Sequence, residues 1–125
     1  MRRIVLVMRR KPVAQSLMER LEMEPDVRYR FEFDSEKAVA AAAEVDATVL
    51  LIEVPESDLY NVEYCLNLCG QIRTQQANCK LLLLCPEQNR ESVLQSIQAK
   101  ATGRIDDFAF YEASADYLIA KLMSL

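Results

Sequence analysis

Residues that could do chemistry in this sequence stand where its apolar segments end. Glu53 closes one long apolar run, the basic segment Arg9–Lys11 follows another, and Cys85 ends a third. If these runs are parallel strands, their carboxyl ends share one edge of a sheet, which is where α/β proteins bind ligands. The sequence therefore predicts that these side chains come together at one edge.

Several kinds of chemistry are open to such a group. A helix start beside basic side chains can bind an anion, so Arg9, Arg10 and Lys11 form a candidate anion site. The segment lacks the glycines of a phosphate-binding loop, and the alternative interpretation is that these charges are solvated and one of them pairs with Glu53. Cys85 would be a nucleophile only if nearby cations lowered its pKa. The chain has no histidine, so Cys–His catalysis is excluded, and we expect neither an enzyme nor a bound cofactor.

The elements that must position these residues alternate between strand and helix five times. The predicted strands are about 3–8, 27–33, 47–55, 80–85 and 107–110, with a loop at 55–58. The predicted helices are about 12–23, through 38–43, 62–75, 90–100 and one capped by Ser114, and Val93, Leu94 and Ile97 are expected to face inward. Five βα units predict an α/β fold, a flavodoxin-like three-layer αβα sandwich with a five-stranded parallel sheet in the order 2-1-3-4-5. We expect residues 1–125 to form a single domain.

Composition narrows the class of protein. The chain has 125 residues, 51% of them hydrophobic, and a net charge of −4, which argues against general binding to nucleic acid or to an anionic membrane. No apolar run approaches the length of a membrane span, and we expect a cytoplasmic protein. Its four cysteines (65, 69, 79 and 85) lack zinc-site spacing, so we interpret them as buried hydrophobes in a reducing compartment, with a metal site or a redox pair as the alternative.

Three segments resemble a known family. Leu68–Arg73 is similar to the receiver helix that closes with an Ile-Arg pair, and Gly103–Phe108 is similar to the stretch that leads into the last receiver strand. Ser114–Leu122 resembles the final helix. In this order and spacing, the segments resemble the CheY-like receiver domain of bacterial response regulators over nearly the whole chain.

The resemblance also implies a chemistry that this sequence does not reproduce. A working receiver has acids after strand 1 and an aspartate ending strand 3, which together hold Mg²⁺ and accept a phosphoryl group. It also has a hydroxyl residue ending strand 4 and a lysine ending strand 5. The corresponding positions here are Met8, Arg9, Arg10, Glu53, Cys85 and Tyr111. Aligning Pro55 to the family's proline moves the acceptor position to Leu51, so neither register supplies an aspartate.

We therefore predict a pseudo-receiver, with no metal site and no autophosphorylation, that acts through protein–protein contact. The resemblance implies that a partner or a second copy would use the helix 4–strand 5–helix 5 face, where Phe108, Phe110, Tyr111 and Tyr117 lie. Glu53 could imitate a phosphorylated aspartate. The alternatives are a conventional phosphorelay receiver with atypical residues and a small flavodoxin-like ligand-binding protein.

Overall fold

The computed structural model describes residues 1–55 and 61–125, and within them strands and helices alternate. The strands are β1 (Arg2–Val7), β2 (Val27–Glu32), β3 (Val49–Glu53), β4 (Lys80–Cys85) and β5 (Asp107–Phe110). The helices are α1 (Lys11–Leu21), α2 (Ala38–Val45), α3 (Val62–Gln75), α4 (Arg90–Ala101) and α5 (Ala115–Ser124), with a short 3₁₀ turn at Ser35–Lys37. Most of the loop predicted at 55–58 lies outside the described residues. Within the described ranges, no helix is long and apolar enough to cross a bilayer.

The five strands form one parallel sheet in the order β2-β1-β3-β4-β5, which confirms the predicted fold class and strand order. Leu6 of β1 lies opposite Leu51 of β3, and Leu51 lies opposite Leu82 of β4. Strand β3 is buried along its whole length, and β4 is buried after its first residue. Unbroken apolar runs suit these positions, because helices cover both faces of the sheet there.

Two apolar layers flank the sheet. The layer under α1 and α5 is built mainly from these buried side chains: Ile4, Leu6, Leu17, Leu21, Leu51, Leu82, Leu118 and Leu122. The layer under α2, α3 and α4 includes Val5, Ile52, Cys65, Cys69, Ile72, Leu81 and Leu83. Alternate residues of each strand enter opposite layers, since side chains in a strand have a period of two.

Polar side chains cap the start of α5, as the sequence predicts, and the start of the 3₁₀ turn. Ser114 Oγ accepts the backbone N–H of Tyr117 (3.1 Å), and the Asp34 carboxylate accepts that of Glu36 at the 3₁₀ turn (3.0 Å). Such caps satisfy N–H groups that have no partner inside the helix. At the other end of α2, Asp46 takes the left-handed conformation (φ 52°) that commonly closes a helix.

Helix α4 is turned differently from the prediction. The expectation that Leu94 and Ile97 face inward is wrong, because they are 56% and 49% exposed, while Val93 is only half-buried. Three small residues face the core instead: Ser92, Ser96 and Ala99. The Ser96 hydroxyl donates to the backbone carbonyl of Ser92 (2.8 Å), so its burial leaves no unsatisfied donor. The helix therefore exposes two of its large apolar side chains and buries small ones.

Candidate functional site

The residues predicted to meet at the sheet edge fall on two sides of the sheet. Met8 and Tyr111 belong to the apolar layer under α1 and α5. Glu53 lies two residues beyond Leu51 of the same layer, so its side chain points to that side as well. Cys85 belongs to the opposite layer, under α3 and α4. The structure thus brings Met8, Glu53 and Tyr111 to one side and separates Cys85 from them.

Glu53 is a buried carboxylate rather than a half-exposed one. The residue is only 6% exposed, whereas the sequence predicted an acid at a partly exposed edge. The backbone N–H of Arg10, just before α1, donates to Glu53 Oε1 (3.2 Å). Burial raises the pKa of Glu53, and it outweighs the backbone N–H groups and positive charges of Arg10 and Arg9, which act to lower it. The β1–α1 loop therefore holds the acid in one place with main-chain donors.

The guanidinium of Arg10 covers the ring of Tyr111, with its central carbon 3.9 Å from the ring centroid. Tyr111 is 7% exposed and packs in the layer under α1 and α5. This geometry is that of a close cation–π contact. The position where the receiver family carries a lysine is thus filled by a buried aromatic ring with a cation above it.

A second basic-aromatic contact lies at the end of β2, and sequence reasoning missed it. The cationic groups of Arg9 and Lys11 lie 5.8 and 5.9 Å from the centroid of the Phe33 ring. Phe33 is exposed, as are both cations. Phe33 continues the alternating pattern of β2 by one residue. Because β1 and β2 pair in parallel up to Val7 and Glu32, this pattern places Phe33 beside the residues that follow β1. The basic segment is therefore shared between two aromatic rings, because Arg10 turns to Tyr111 and its neighbours turn to Phe33.

The four cysteines are free and buried. Burial raises the pKa of each thiol, to about 12 for Cys69 and about 11 for Cys79. Cys85 follows the same rule, although its contact with Ser96 acts in the opposite direction. Thiolate is the reactive form of cysteine, so raised pKa values make these thiols poor nucleophiles.

The carboxyl edge of the sheet at Glu53, Arg10 and Tyr111, called the closed edge below, offers few ligands to a metal ion. In the part of the chain that the structure describes, no group of three or more His, Cys, Asp or Glu side chains is placed to hold one. Magnesium prefers carboxylate oxygens and water, whereas Glu53 accepts the backbone N–H of Arg10 and faces the positive charges of Arg10 and Arg9. What this arrangement can do is hold one carboxylate and one guanidinium in fixed positions over an apolar layer.

An open groove runs along β5, which is one of the two edge strands of the sheet. It has a volume of ≈ 610 Å³, and α4, β5 and α5 line it. The rings of Phe108 and Phe110 form its apolar part and pack edge to face, with centroids 5.9 Å apart. Tyr117 of α5 lines the opposite wall and is exposed. Three of the four aromatic residues predicted for this face therefore line one groove.

Tyr111 is placed apart from these three. It is buried under Arg10 and does not line the groove, although the sequence grouped it with the face. The reason is the alternation of side chains at the end of β5, where Phe108 and Phe110 pack on the α4 side and Tyr111 on the α1–α5 side. The face is therefore built from Phe108, Phe110 and Tyr117, together with the exposed side of α4.

Charges are arranged in order along the groove. Asp107, at the amino end of β5, pairs with Lys100 of α4 (3.0 Å) and with Lys121 of α5. Burial alone would raise the pKa of Asp107, but hydrogen bonds from Lys121 and Lys100 hold it below its ordinary value. At the carboxyl end of β5 the groove is lined by Glu87 and Glu112. The groove thus has a basic end, an aromatic middle and an acidic end.

Comparison with known proteins was informative only at the level of structure. No family model matches the chain, and no curated protein matches it. Among solved structures, the receiver domain of the Francisella response regulator 1452 is similar, with a TM-score of 0.75 and 19% identity over 99% of this chain and 95% of that one. A CheY-like receiver domain protein from Methanospirillum hungatei JF-1 gives a TM-score of 0.76 and 15% identity, covering 99% of this chain and 92% of that one.

A third similar structure belongs to a family of streptococcal redox sensors described as evolved from two-component response regulators. It has a TM-score of 0.79 and 15% identity, and the match covers 99% of this chain and 50% of that one. At such identities the likeness shows the fold. The chain has the fold of response-regulator receiver domains, as the three sequence segments predicted.

Proposed function

We propose that this chain is a pseudo-receiver: a cytoplasmic, non-enzymatic signalling module of one domain, spanning residues 1–125, that works by protein contact and not by phosphoryl transfer. The receiver fold over nearly the whole chain supports a signalling role. Four free, buried cysteines fit a reducing compartment. The match to a redox sensor described as evolved from response regulators is a precedent for a receiver fold put to another use.

The closed edge supports the loss of phosphoryl transfer. In that chemistry a metal ion bridges phosphate oxygens and neutralises the developing charge. Here Met8, Arg9 and Arg10 follow β1, and Glu53 accepts main-chain N–H groups in a buried position. The guanidinium of Arg10 lies over the buried ring of Tyr111, at the position where the receiver family carries a lysine. A cation brought to Glu53 would meet the positive charges of Arg10 and Arg9.

The observation that carries the proposal is the exposed apolar side of α4. Leu94 and Ile97 lie in water while serines of the same helix are buried. Single exposed apolar side chains are common, but here Ile97 lies three residues before Lys100 on α4, and Lys100 lines the groove together with Phe108, Phe110 and Tyr117. Interfaces are enriched in such aromatic residues. The interaction surface is therefore proposed to comprise α4, β5 and α5.

The order of charges in the groove favours a second copy of the chain as the partner. A two-fold axis across the middle of β5 would set the basic end of one groove (Lys100, Lys121) against the acidic end of its mate (Glu87, Glu112). Such a patch is self-complementary, as a two-fold interface requires. Charge complementarity of this kind also fixes the orientation of the two copies.

Light scattering after size-exclusion chromatography tests this proposal. We expect the mass to rise with protein concentration towards twice the 14.3 kDa of one chain. The double substitution Leu94→Gln/Ile97→Gln should keep the protein monomeric. Met23→Gln is the matched control, because Met23 is an exposed apolar residue outside the surface. A monomer at every concentration would overturn the choice of a second copy, as would a dimer that the double variant does not weaken.

The loss of phosphoryl transfer has its own test. The protein is incubated with acetyl phosphate and Mg²⁺, and its intact mass is measured. We expect no change in mass. If the mass of the wild-type protein increases by one phosphoryl group and that of Glu53→Gln does not, the alternative of a conventional receiver with atypical residues is favoured.

A further inference from the structure

Three arginines lie side by side at the edge of the sheet opposite the groove. Arg3 of β1 is the direct partner of Arg28 of β2, and Arg30 lies two residues further along β2 on the same side. Neighbouring strands are about 4.8 Å apart, so these side chains leave the sheet close together. Like charges placed directly opposite each other in a sheet are destabilising. The cluster therefore has a cost in stability that the fold alone does not require.

The three side chains line one hollow. Its volume is ≈ 310 Å³, and the rest of its lining comes from Ile4, Tyr29 and Val45. It lies beside the end of α2 and far from the carboxyl edge of the sheet, since Arg3 is at the start of β1. Val45 is the apolar side chain on this face of the sheet, because the side chains of Ile4 and Tyr29 belong to the layer on the opposite face.

Two of the arginines are held in place by acids at the end of α2. Arg3 Nε donates to the backbone carbonyl of Asp46 (2.8 Å), and Arg3 Nη2 donates to its carboxylate (3.4 Å). Arg30 pairs with Glu44 of the last turn of α2, and its Nη2 atom is 3.9 Å from the Glu32 carboxylate. These contacts fix both guanidinium groups at the wall of the hollow before any ligand arrives.

Arg28 is different from its two neighbours. Within residues 1–55 and 61–125 it makes no ion pair, while it lines the same hollow. A guanidinium has five N–H donors in a flat fork that matches phosphate and carboxylate oxygens. Arg3 uses two nitrogens on Asp46, so donors of all three arginines remain for a ligand. Asp46 faces Arg3, and Glu44 and Glu32 face Arg30, so Arg28 is the one guanidinium of the three that has no ion-pair partner among the described residues.

We propose that this hollow, formed by Arg3, Arg28 and Arg30, binds a phosphate-class oxyanion. Arg3 and Arg30 are the fixed donors, and Arg28 supplies a guanidinium that has no ion-pair partner within residues 1–55 and 61–125. Bidentate contacts of arginine with such groups are short, strong and selective for planar or tetrahedral oxyanions. The phosphate could belong to a small molecule or to a phosphorylated side chain of another protein, and both present the same oxygens.

Isothermal titration with inorganic pyrophosphate tests the site, at an ionic strength held constant with chloride. We expect a saturable signal that Arg28→Gln weakens by at least about tenfold, the loss typical of one charge-assisted bidentate contact. Arg28→Lys keeps the charge but loses the fork, so it should weaken binding to a smaller extent. Arg90→Gln is the matched control, because it removes an exposed arginine from α4. Circular dichroism of each variant checks the fold.

A second arm distinguishes the sources of the phosphate. A short phosphoserine peptide replaces pyrophosphate, and its unphosphorylated form is the control. Tighter binding of the phosphopeptide, lost in Arg28→Gln, assigns the site to a phosphorylated protein segment. Tighter binding of pyrophosphate, lost in the same variant, assigns it to a small phosphorylated molecule. Binding of neither probe, or binding that Arg28→Gln leaves intact, would overturn the proposal.

Discussion

The carboxyl edge of the sheet and the surface of α4, β5 and α5 reverse the usual places of polar and apolar groups. At the edge, the carboxylate of Glu53 is buried beneath main-chain donors and an arginine covers a buried tyrosine. On the surface, Leu94 and Ile97 are exposed while Ser92 and Ser96 are buried. The first region is closed, and the second is open and exposes apolar side chains.

This difference supports the proposal that the protein acts through the surface of α4, β5 and α5. A closed region can stabilise one conformation, but it has no room for a substrate. An open apolar surface costs solubility and is retained where something covers it. The comparison therefore makes a clear division: substitutions at the closed edge should change stability, and substitutions on the open surface should change association.

The largest expected effect is the loss of the buried ring at the closed edge. Tyr111→Ala removes a side chain that packs with Leu84 and Leu118 in the layer under α1 and α5. Truncating a buried aromatic residue costs about 3–5 kcal/mol, through lost transfer free energy and the cavity left behind. Urea denaturation measures this loss. Tyr117→Ala on the open surface is the control and should stay within about 0.5 kcal/mol of wild type. Equal losses in the two variants would remove the distinction between the regions.

An intermediate effect is an opposite dependence on pH in the two regions. Burial raises the pKa of Glu53, so the folded state binds its proton more tightly than the unfolded chain does. Its stabilising contribution is therefore complete below the unfolded pKa and is lost as pH rises through the folded pKa. The pKa of Asp107 is lowered by its two lysines despite burial, so its contribution is present above the unfolded pKa and is lost as pH falls through the folded one.

Two variants separate these contributions. The free energy of unfolding is measured across the carboxyl titration range for wild type, Glu53→Gln and Asp107→Asn. The wild-type advantage over Glu53→Gln should shrink as pH rises, and the advantage over Asp107→Asn should grow. If the difference in free energy of unfolding from wild type changed with pH in the same direction for both variants, the assigned pKa shifts of Glu53 and Asp107 would be wrong.

The smallest expected effect concerns the cation over Tyr111. Arg10→Ala removes the guanidinium but keeps the backbone N–H that Glu53 accepts. Loss of a cation–π contact at an exposed site costs about 0.5–1 kcal/mol. Arg9→Ala should cost less, because its guanidinium lies 5.8 Å from the centroid of an exposed ring. If Arg9→Ala proved the more costly substitution, Arg10 would not be the residue that closes the edge.

Much of the fold was predictable, because hydrophobic patterns report which faces are covered. The unbroken apolar runs of β3 and β4 identified central strands, and the alternation in β2 identified an edge strand. The strand order followed from five βα units in sequence. Helix ends were less certain, and α1 stops at Leu21 where its pattern suggested Met23.

The orientation of α4 could not be predicted from its own sequence. Val93, Leu94 and Ile97 form a regular apolar stripe, and such a stripe usually faces the core. The side that does face the core holds only small residues, and Ser96 satisfies its hydroxyl within the helix. The deciding information was therefore the space available against the sheet, which depends on residues far along the chain. Burial of Glu53 was hidden for the same reason, since its donors come from the end of another strand.

The small size of the buried residues of α4 also affects how firmly this helix is held. Helix α3 is anchored by buried Val62, Leu66 and Ile72, while α4 is anchored by two serines and an alanine. Detaching α4 would uncover much less apolar area, so its amide protons should exchange with solvent sooner than those of α3. The helix that exposes Leu94 and Ile97 to a partner is thus also one that the fold releases more easily than α3.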